Sequence, residues 1–547
     1  MNKINLSNSS RYAIEGRIVT MDANSTVIPN GIIYIEGDTI IDIRKTGDAL
    51  PKGFTKEMII KSGGTIYPGM IELHNHLSYN IIPTWMVPKR FLDRDQWRRD
   101  KDYRKKMTGP LRVLGHIDGY LQAIVRFVET RLLFSGVSSS QGITLASHHN
   151  IRKFYKGVVR NVEQTVDKDL PNAITRIADI KNAEKLLERL EKRKRTYLLH
   201  LAEGTNKQAN KHFKALQIND TKWAITPELS GIHCVGLLPK DFKIMKKFGG
   251  SMIWSPMSNF LLYGVTADIK AAKKNNILMG LGSDWSASGS KNLLCELKVA
   301  WLHSQALGDI FTPEELVRMV NSNAAKILKW EKHLGSLEVG KKADLMVIRG
   351  KKGEPYVKFL KAKEQSISWV IIGGIPRIGH KRLMKRFNVE LEKVKLGRTK
   401  RYLNLKNESN ENPIEVSLGY NKAKKKLKKG MLNLPKLAQK MERSTREIFS
   451  GAKSIDDSSK RWYIELEHEE TPRSSQRHHF FYHNEPTGGS LLRKPSLPLS
   501  QIIEPIKLVK DSIANDRRYF KNLAMQKNLP NYIKLHLPPL YGEDIEL

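Results

Sequence analysis

Cysteine is scarce. Only Cys234 and Cys295 occur among 547 residues, which excludes a disulfide framework and fits a reducing compartment. No run approaches the roughly 18 apolar residues that cross a bilayer, and the opening MNKINLSNSSRYAIEG has no apolar signal-like core. A cytoplasmic chain without membrane contact is the expectation. Acidic residues are also short: 56 Asp and Glu face 93 Lys and Arg, for a formal net charge of +37. Such an excess invites a nucleic-acid or anionic-surface reading. Residues 391–547, however, hold 30 Lys and Arg against 19 Asp and Glu, an excess of only 11. The charge is spread along the whole chain, as on a solvated surface, so nucleic acid is not the expected partner. Internal repeats and low-complexity tracts are absent as well.

What is present is an ordinary globular composition, 40% hydrophobic and 27% charged, long enough for one large domain, a small companion and an extension. Tyr12–Met21, Gly31–Ile43 and Met58–Tyr67 alternate with period two between Gly-Asp and Asn-Gly turns, as antiparallel strands do. From Pro68 the pattern changes to short apolar runs alternating with helical segments, the mark of repeated βα units and a parallel sheet. Leu121–Phe134, Asn182–Lys192, Asp241–Phe248 and Asp268–Lys274 read as helices, and Phe311–Trp330 opens with a Thr312-Pro313-Glu314-Glu315 capping box. Gly136–Thr144, Thr196–Leu201, Ile232–Leu237, Ser251–Ser255 and Ile277–Gly282 read as strands; the third and fourth, within 143–162, leave little periodic trace. The expected fold is α/β: a (β/α)8 TIM barrel with a small composite β-sandwich domain and a C-terminal extension. Residues 1–67 and 336–390 make the two parts of the β domain, 68–335 the metal-dependent barrel and 391–547 the basic extension. Pro-rich stretches near 495–505 and 538–539 read as linker.

The organising stretch is GGTIYPGMIELHNHLSY, 63–79. His74 and His76, two apart in an extended chain, project to one side and can meet a cation. A bare His-x-His is more often two packed histidines, so the reading depends on further ligands. Barrel chemistry sits at the C-terminal ends of strands. There the sequence offers His200 and Glu203 in HLAE, His233 in GIH, and Asp284 in GSDWS. A carboxylate directly after an apolar strand needs a partner. His74, His76, His200 and Asp284 supply three nitrogens and one oxygen for one divalent metal and leave a position for water. Glu203 is within reach to carry that water's proton to a leaving nitrogen, and His233 to orient water or substrate. Trp85, in the long loop 78–97, with Asn259, Tyr263 and Trp285, can line a pocket for a flat ring; packing is the commoner role of such aromatics.

These pieces, with SPMSN (255–259) and LGSLEVGKKADLMVI (334–348), resemble the amidohydrolase superfamily, in the branch of cytosine and guanine deaminases, triazine hydrolases and imidazolonepropionase. The resemblance covers residues 12–380. It implies a metal-dependent hydrolase of a non-peptide C–N bond, deaminating a heterocyclic amine or opening a cyclic amide. It also implies one bound divalent metal, Zn²⁺ ahead of Fe²⁺, with Glu203 and His233 beside Asp284 in catalysis. A carboxylated lysine for a second metal is missing, Lys156 being the only nearby candidate, so a binuclear site is disfavoured. A small-molecule substrate is the expected partner, and a homo-oligomer is compatible with it.

The competing class is an idle scaffold whose extension binds an anionic partner. Its support is the Lys422–Lys429 run, with Trp462, Phe480, Phe481 and Tyr482 downstream. A solvated helix face explains the run more simply, and the intact Glu203 favours an enzyme. His468, His478, His479 and His483 lack fixed ligand spacing, and Cys234 reads as a core thiol on the strand face opposite His233.

Overall fold

The computed structural model describes residues 3–147, 151–406, 412–449, 462–466 and 497–543. The four histidines at 468–483 and the aromatics at 480–482 lie outside them. Strands β1 (Arg11–Val19), β2 (Val27–Glu36), β3 (Thr39–Lys45) and β4 (Ile59–Pro68) open the chain. A run of mostly short strands follows: β5 (Met70–Glu72), β6 (Val137–Ser140), β7 (Thr144–Ser147), β8 (Arg152–Phe154) and β9 (Arg160–Asn161). Then come β10 (Ile174–Arg176), β11 (Tyr197–Leu201), β12 (Leu229–His233), β13 (Ser251–Trp254) and β14 (Met279–Leu281). After a helical stretch, β15 (Leu345–Arg349), β16 (Ile367–Ile372), β17 (Ile375–Gly379), β18 (Glu392–Leu396) and β19 (Thr399–Leu403) return to β structure, with β20 (Trp462–Ile464) beyond.

The first and last groups share one nine-stranded sheet, in the order β18-β19-β17-β16-β15-β4-β1-β2-β3. Its seam is the antiparallel pairing of β15 with β4, Leu345 opposite Pro68. Ile14, Ile18, Ile66, Val347 and Trp369 fill one core against it, and Ala13, Tyr34 and Phe54 another. The site-bearing strands are all parallel, in the sheets β5-β6-β9 and β10-β11-β12-β13-β14. Two links join these sheets. The Ala173 N–H donates to the Val162 carbonyl on one side, and Asn75 pairs in parallel with Asp284 on the other.

The segment 143–162 shows why its pattern is faint. β7 is a strand, but it pairs antiparallel with β8 and β20, outside the parallel sheets. The parallel β9 has only two residues, Arg160 and Asn161, too few for any period to register. Pro538 and Pro539, read as linker, instead fall in the helix Asn531–Leu540, whose Ile533, Leu537 and Pro538 are buried. That burial outweighs the backbone bonds two prolines remove near a helix end. Among the described residues no helix is long and apolar enough to cross a membrane.

The basic run lies on the helix Tyr420–Leu432, whose Tyr420, Ala423 and Leu427 are buried. Tyr420 stacks on Phe127, with ring centroids 5.6 Å apart. Residues 497–543 dock on the loops that follow β5 and β14. The buried Lys291 donates to the equally buried Asp516 at 2.6 Å, and Tyr532 meets His303 Nδ1 at 2.6 Å. The Gln526 side chain brackets the loop backbone, accepting from the Val87 N–H at 3.2 Å and donating to the Trp85 carbonyl at 2.7 Å. Gln526→Ala leaves both backbone groups without that partner. It is expected to destabilise the protein by about 2 kcal/mol, read as a lower denaturant midpoint at unchanged slope.

Candidate metal and proton-transfer site

Four elements deliver the site. His74 and His76 follow β5, His200 is the penultimate residue of β11, His233 ends β12 and Asp284 lies just beyond β14. The approach of β14 to β5 demands glycine at 282, because a Cβ there would come within 2.4 Å of His74 Cβ. The His76 N–H then donates to the Asp284 carbonyl at 2.6 Å, and the Asp284 N–H to the His74 carbonyl at 3.0 Å. All five residues and Glu203 are buried, none above 4% exposed. The His74 ring lies 4.9, 4.7 and 5.1 Å from those of His76, His200 and His233. Asp284 Oδ1 is 3.3 Å from His74 Nε2 and 3.4 Å from His76 Nε2. Three overlapping trios have ligand atoms within 4.8 Å of one another: His74-His76-His200, His74-His233-Asp284 and His200-Glu203-His233.

The donors have the right chemistry for a cation. His74 Nδ1 meets Gln141 Oε1 at 3.3 Å, an oxygen that also accepts the Asn75 N–H. His200 Nδ1 meets the Arg176 carbonyl at 3.3 Å, and His233 Nδ1 meets Asn259 Oδ1 at 3.0 Å. Each acceptor requires the proton on Nδ1, which leaves Nε2 as the lone pair turned inward. His200 Nε2, though buried, has no hydrogen-bond partner among the described residues. Burial, then the neighbouring histidines, hold the His200 imidazole well below its usual pKa; burial also lowers that of His74, against the pull of Asp284. Burial opposes ionisation of Asp284, but His74 and the other histidines outweigh it and hold the carboxyl below the usual carboxylate range. Neutral imidazoles around a carboxylate are the ligand set that a divalent metal takes.

Glu203 has its own shell. Tyr263 OH donates to Oε1 at 2.7 Å, and Trp97 Nε1 donates to Tyr263 OH at 2.9 Å. Arg94 Nη1 lies 3.7 Å from Oε2, and the Arg94 guanidinium also reaches Asp179 and the Ile177 carbonyl. Glu72 supports the loop carrying Asp284, accepting from the Ser283 N–H at 2.7 Å; burial pushes its carboxyl up to about 8. Arg94, Trp97, Gln141 and Glu72 escape sequence reasoning. Arg94 is one cation among many in a basic chain, and only its loop, 78–97, gives a hint.

The ring-lining residues divide. Asn259 and Tyr263 touch His233 and Glu203 directly. Trp285 sets its ring 6.2 Å from that of His76, and its Nε1 donates to Ser288 Oγ. Trp85 stacks on Phe91 at 5.9 Å and is tied by its backbone to Ala287 and Gln526, so its contacts are those of the covering loop. Lys156 lies between β8 and β9, its backbone bonded to the Asn412 side chain. Cys234 is buried, its thiol pushed up by burial, and belongs to none of the three trios.

Four residues here hold left-handed backbone without being glycine: Ala202 (φ 49°), His233 (70°), Cys234 (54°) and Asp284 (64°). Such conformations cost of order 1–3 kcal/mol each and gather where geometry serves chemistry.

Comparison with known proteins is consistent with this geometry. The model of the amidohydrolase family matches residues 65–375. A 5-methylthioadenosine/S-adenosylhomocysteine deaminase of Thermoanaerobacter pseudethanolicus is 25% identical over 362 residues, 60% of this chain and 83% of that protein. A zinc-bound adenosine deaminase structure from Xanthomonas campestris superposes with a TM-score of 0.54 at 14% identity, covering 71% of this chain and 96% of that one. An atrazine chlorohydrolase from Arthrobacter aurescens, complexed with zinc, gives 0.51 at 15% identity, over 69% and 96%. At such identities these two structures speak for the fold alone.

Proposed function

The chain belongs to the amidohydrolase family, and from that premise we propose that it is a metal-dependent deaminase of an adenosine-type nucleoside. It is a hydrolytic enzyme acting on carbon–nitrogen bonds other than peptide bonds, with a divalent metal as cofactor. The two parallel sheets are read as parts of one (β/α)8 barrel, supported by the Val162–Ala173 and Asn75–Asp284 links. His74, His76, His200 and Asp284 would hold the metal, and a set of three nitrogens and one oxygen suits Zn²⁺ ahead of Fe²⁺. When bound, the cation supplies the Lewis acidity that makes water nucleophilic near neutral pH.

The observation that carries the reading is Glu203, buried beside His200 and His233 with Oε1 held by Tyr263. Its Oε2 takes the proton of the attacking water and passes it to the departing amino group. R–NH₂ and H₂O thus become the hydroxylated ring and NH₃. His233, fixed by Asn259, turns its Nε2 lone pair inward, where it accepts from the attacking water and orients it. Burial keeps bulk water from the reacting atoms. An adenine ring as substrate is supported by the deaminase relatives and by the flat Trp285 beside His76. A cytoplasmic location is part of the same proposal, supported by two free, buried cysteines.

The test is ammonia release from adenosine, 5-methylthioadenosine, guanine and a cyclic amide. Adenosine-type substrates are expected to give ammonia and the hydroxylated purine. Ring-opened product from the cyclic amide alone, with no ammonia from any purine, would overturn the deaminase reading.

A further inference from the structure

Apart from the buried site, the described residues form a half-open cavity of about 560 Å³ at the seam between the extension and the rest of the molecule. It lies within the range of small-molecule sites, roughly 300–1,000 Å³. Five stretches of chain build it: the loop after β5 (Pro83, Thr84), Lys291 beyond β14, Gly397 between β18 and β19, the helix Tyr420–Leu432, and residues 507–522. None of the six metal-site and proton-carrier residues lines it.

Its charges are unbalanced. Both wall carboxylates are engaged, Asp516 by Lys291 and Asp511 by Lys424. Lys510 lies 3.6 Å from the already neutralised Asp516. Lys428, Lys507 and Arg518 also face the cavity, exposed and with no ion pair among the described residues. They come from separate stretches of chain, so their meeting is no by-product of one lysine run. Like charges gathered in a concavity repel and add nothing to folding, but they raise the local concentration of anions. Leu432, Val509 and Pro83 provide apolar wall beside them.

We propose that this cavity binds a small polyphosphate-bearing molecule of nucleotide size, its phosphates on Lys428, Lys507 and Arg518 and its flat part on the apolar wall. A guanidinium with two ammonium groups matches the dense, multiply negative charge of linked phosphates. A volume of small-molecule size favours a nucleotide-sized ligand over a longer nucleic-acid strand.

The metal-loaded enzyme is titrated calorimetrically with UTP, chosen because its base carries no exocyclic amine to compete at the metal site. Inorganic tripolyphosphate, citrate and a single-stranded oligonucleotide are the comparison ligands. Expected are one UTP per chain and an affinity that falls with added salt. A Lys428→Glu/Arg518→Glu variant is expected to weaken binding about tenfold or more, with unfolding midpoint and metal content unchanged. Should that variant fail to fold, Lys507→Ala carries the same test with a loss of a few-fold. Absence of saturable binding by both phosphate probes, or undiminished affinity in the folded variants, overturns the proposal. So does citrate binding as tightly as tripolyphosphate, or binding by the oligonucleotide alone.

Discussion

Glu203→Gln is expected to lower kcat by about 10²–10⁴-fold while the protein keeps its metal, because general acid–base transfer contributes on that scale. The exchange preserves shape, so Tyr263 and Arg94 still surround the side chain. What goes is an oxygen able to take a proton from water and return it to nitrogen. The measurement pairs steady-state ammonia release with metal analysis of the same preparation. Unchanged turnover would remove Glu203 from the mechanism. Lost metal would make it a ligand, a role its membership of the His200-Glu203-His233 trio leaves open to experiment.

Asp284→Ala has the other large expected effect. The wild-type protein is expected to carry about one zinc or iron per chain, held by three nitrogens and one oxygen with a position left for water. Both Asp284→Ala and His200→Ala are expected to fall well below half occupancy and to lose activity with it. The reason is local: Asp284 Oδ1 is an anionic oxygen in contact with both rings, 3.3 Å from His74 Nε2 and 3.4 Å from His76 Nε2. Without it three neutral nitrogens hold a doubly charged ion in a buried space, where uncompensated charge is costly. Chelation of the wild type gives an independent reading, a drop in unfolding midpoint that added metal reverses. Full occupancy in both variants would refute the site.

Much of this was legible in the chain for a physical reason. Ligands placed at strand ends must follow apolar runs, so PGMIELHNH, HLAE, GIH and GSDWS stand out against their surroundings. The alternation of β and βα patterning likewise follows from burial of one face or of both. What stayed hidden depends on the third dimension. β9 is two polar residues between Val159 and Val162, held by neighbours, and no period can be read from two. Arg94, Gln141 and Glu72 reach Glu203, His74 and Ser283 only in the folded chain, and nothing in their own neighbourhoods distinguishes them. The Pro-rich end of the extension reads as linker because its helices there are short, as Leu499–Ile502 is, or hold proline, as Asn531–Leu540 does. Its order comes from groups on distant segments, such as Glu364 accepting from the Ile513 N–H at 2.9 Å.

The left-handed backbone at Ala202, His233, Cys234 and Asp284 bears on how this pocket can be re-engineered. Histidine and aspartate are among the side chains that tolerate such torsions, so two of the four sites reconcile metal chemistry with main-chain geometry at modest cost. Positions 202 and 234 have no comparable freedom. A branched residue there would have to flip the peptide, and the flip would swing Glu203 or His233 out of line. Diversity introduced to change which ring is accepted therefore belongs on the covering loop 78–97 and on the stretch from Trp285 onward, where torsions are ordinary, and not on the exits of β11 and β12.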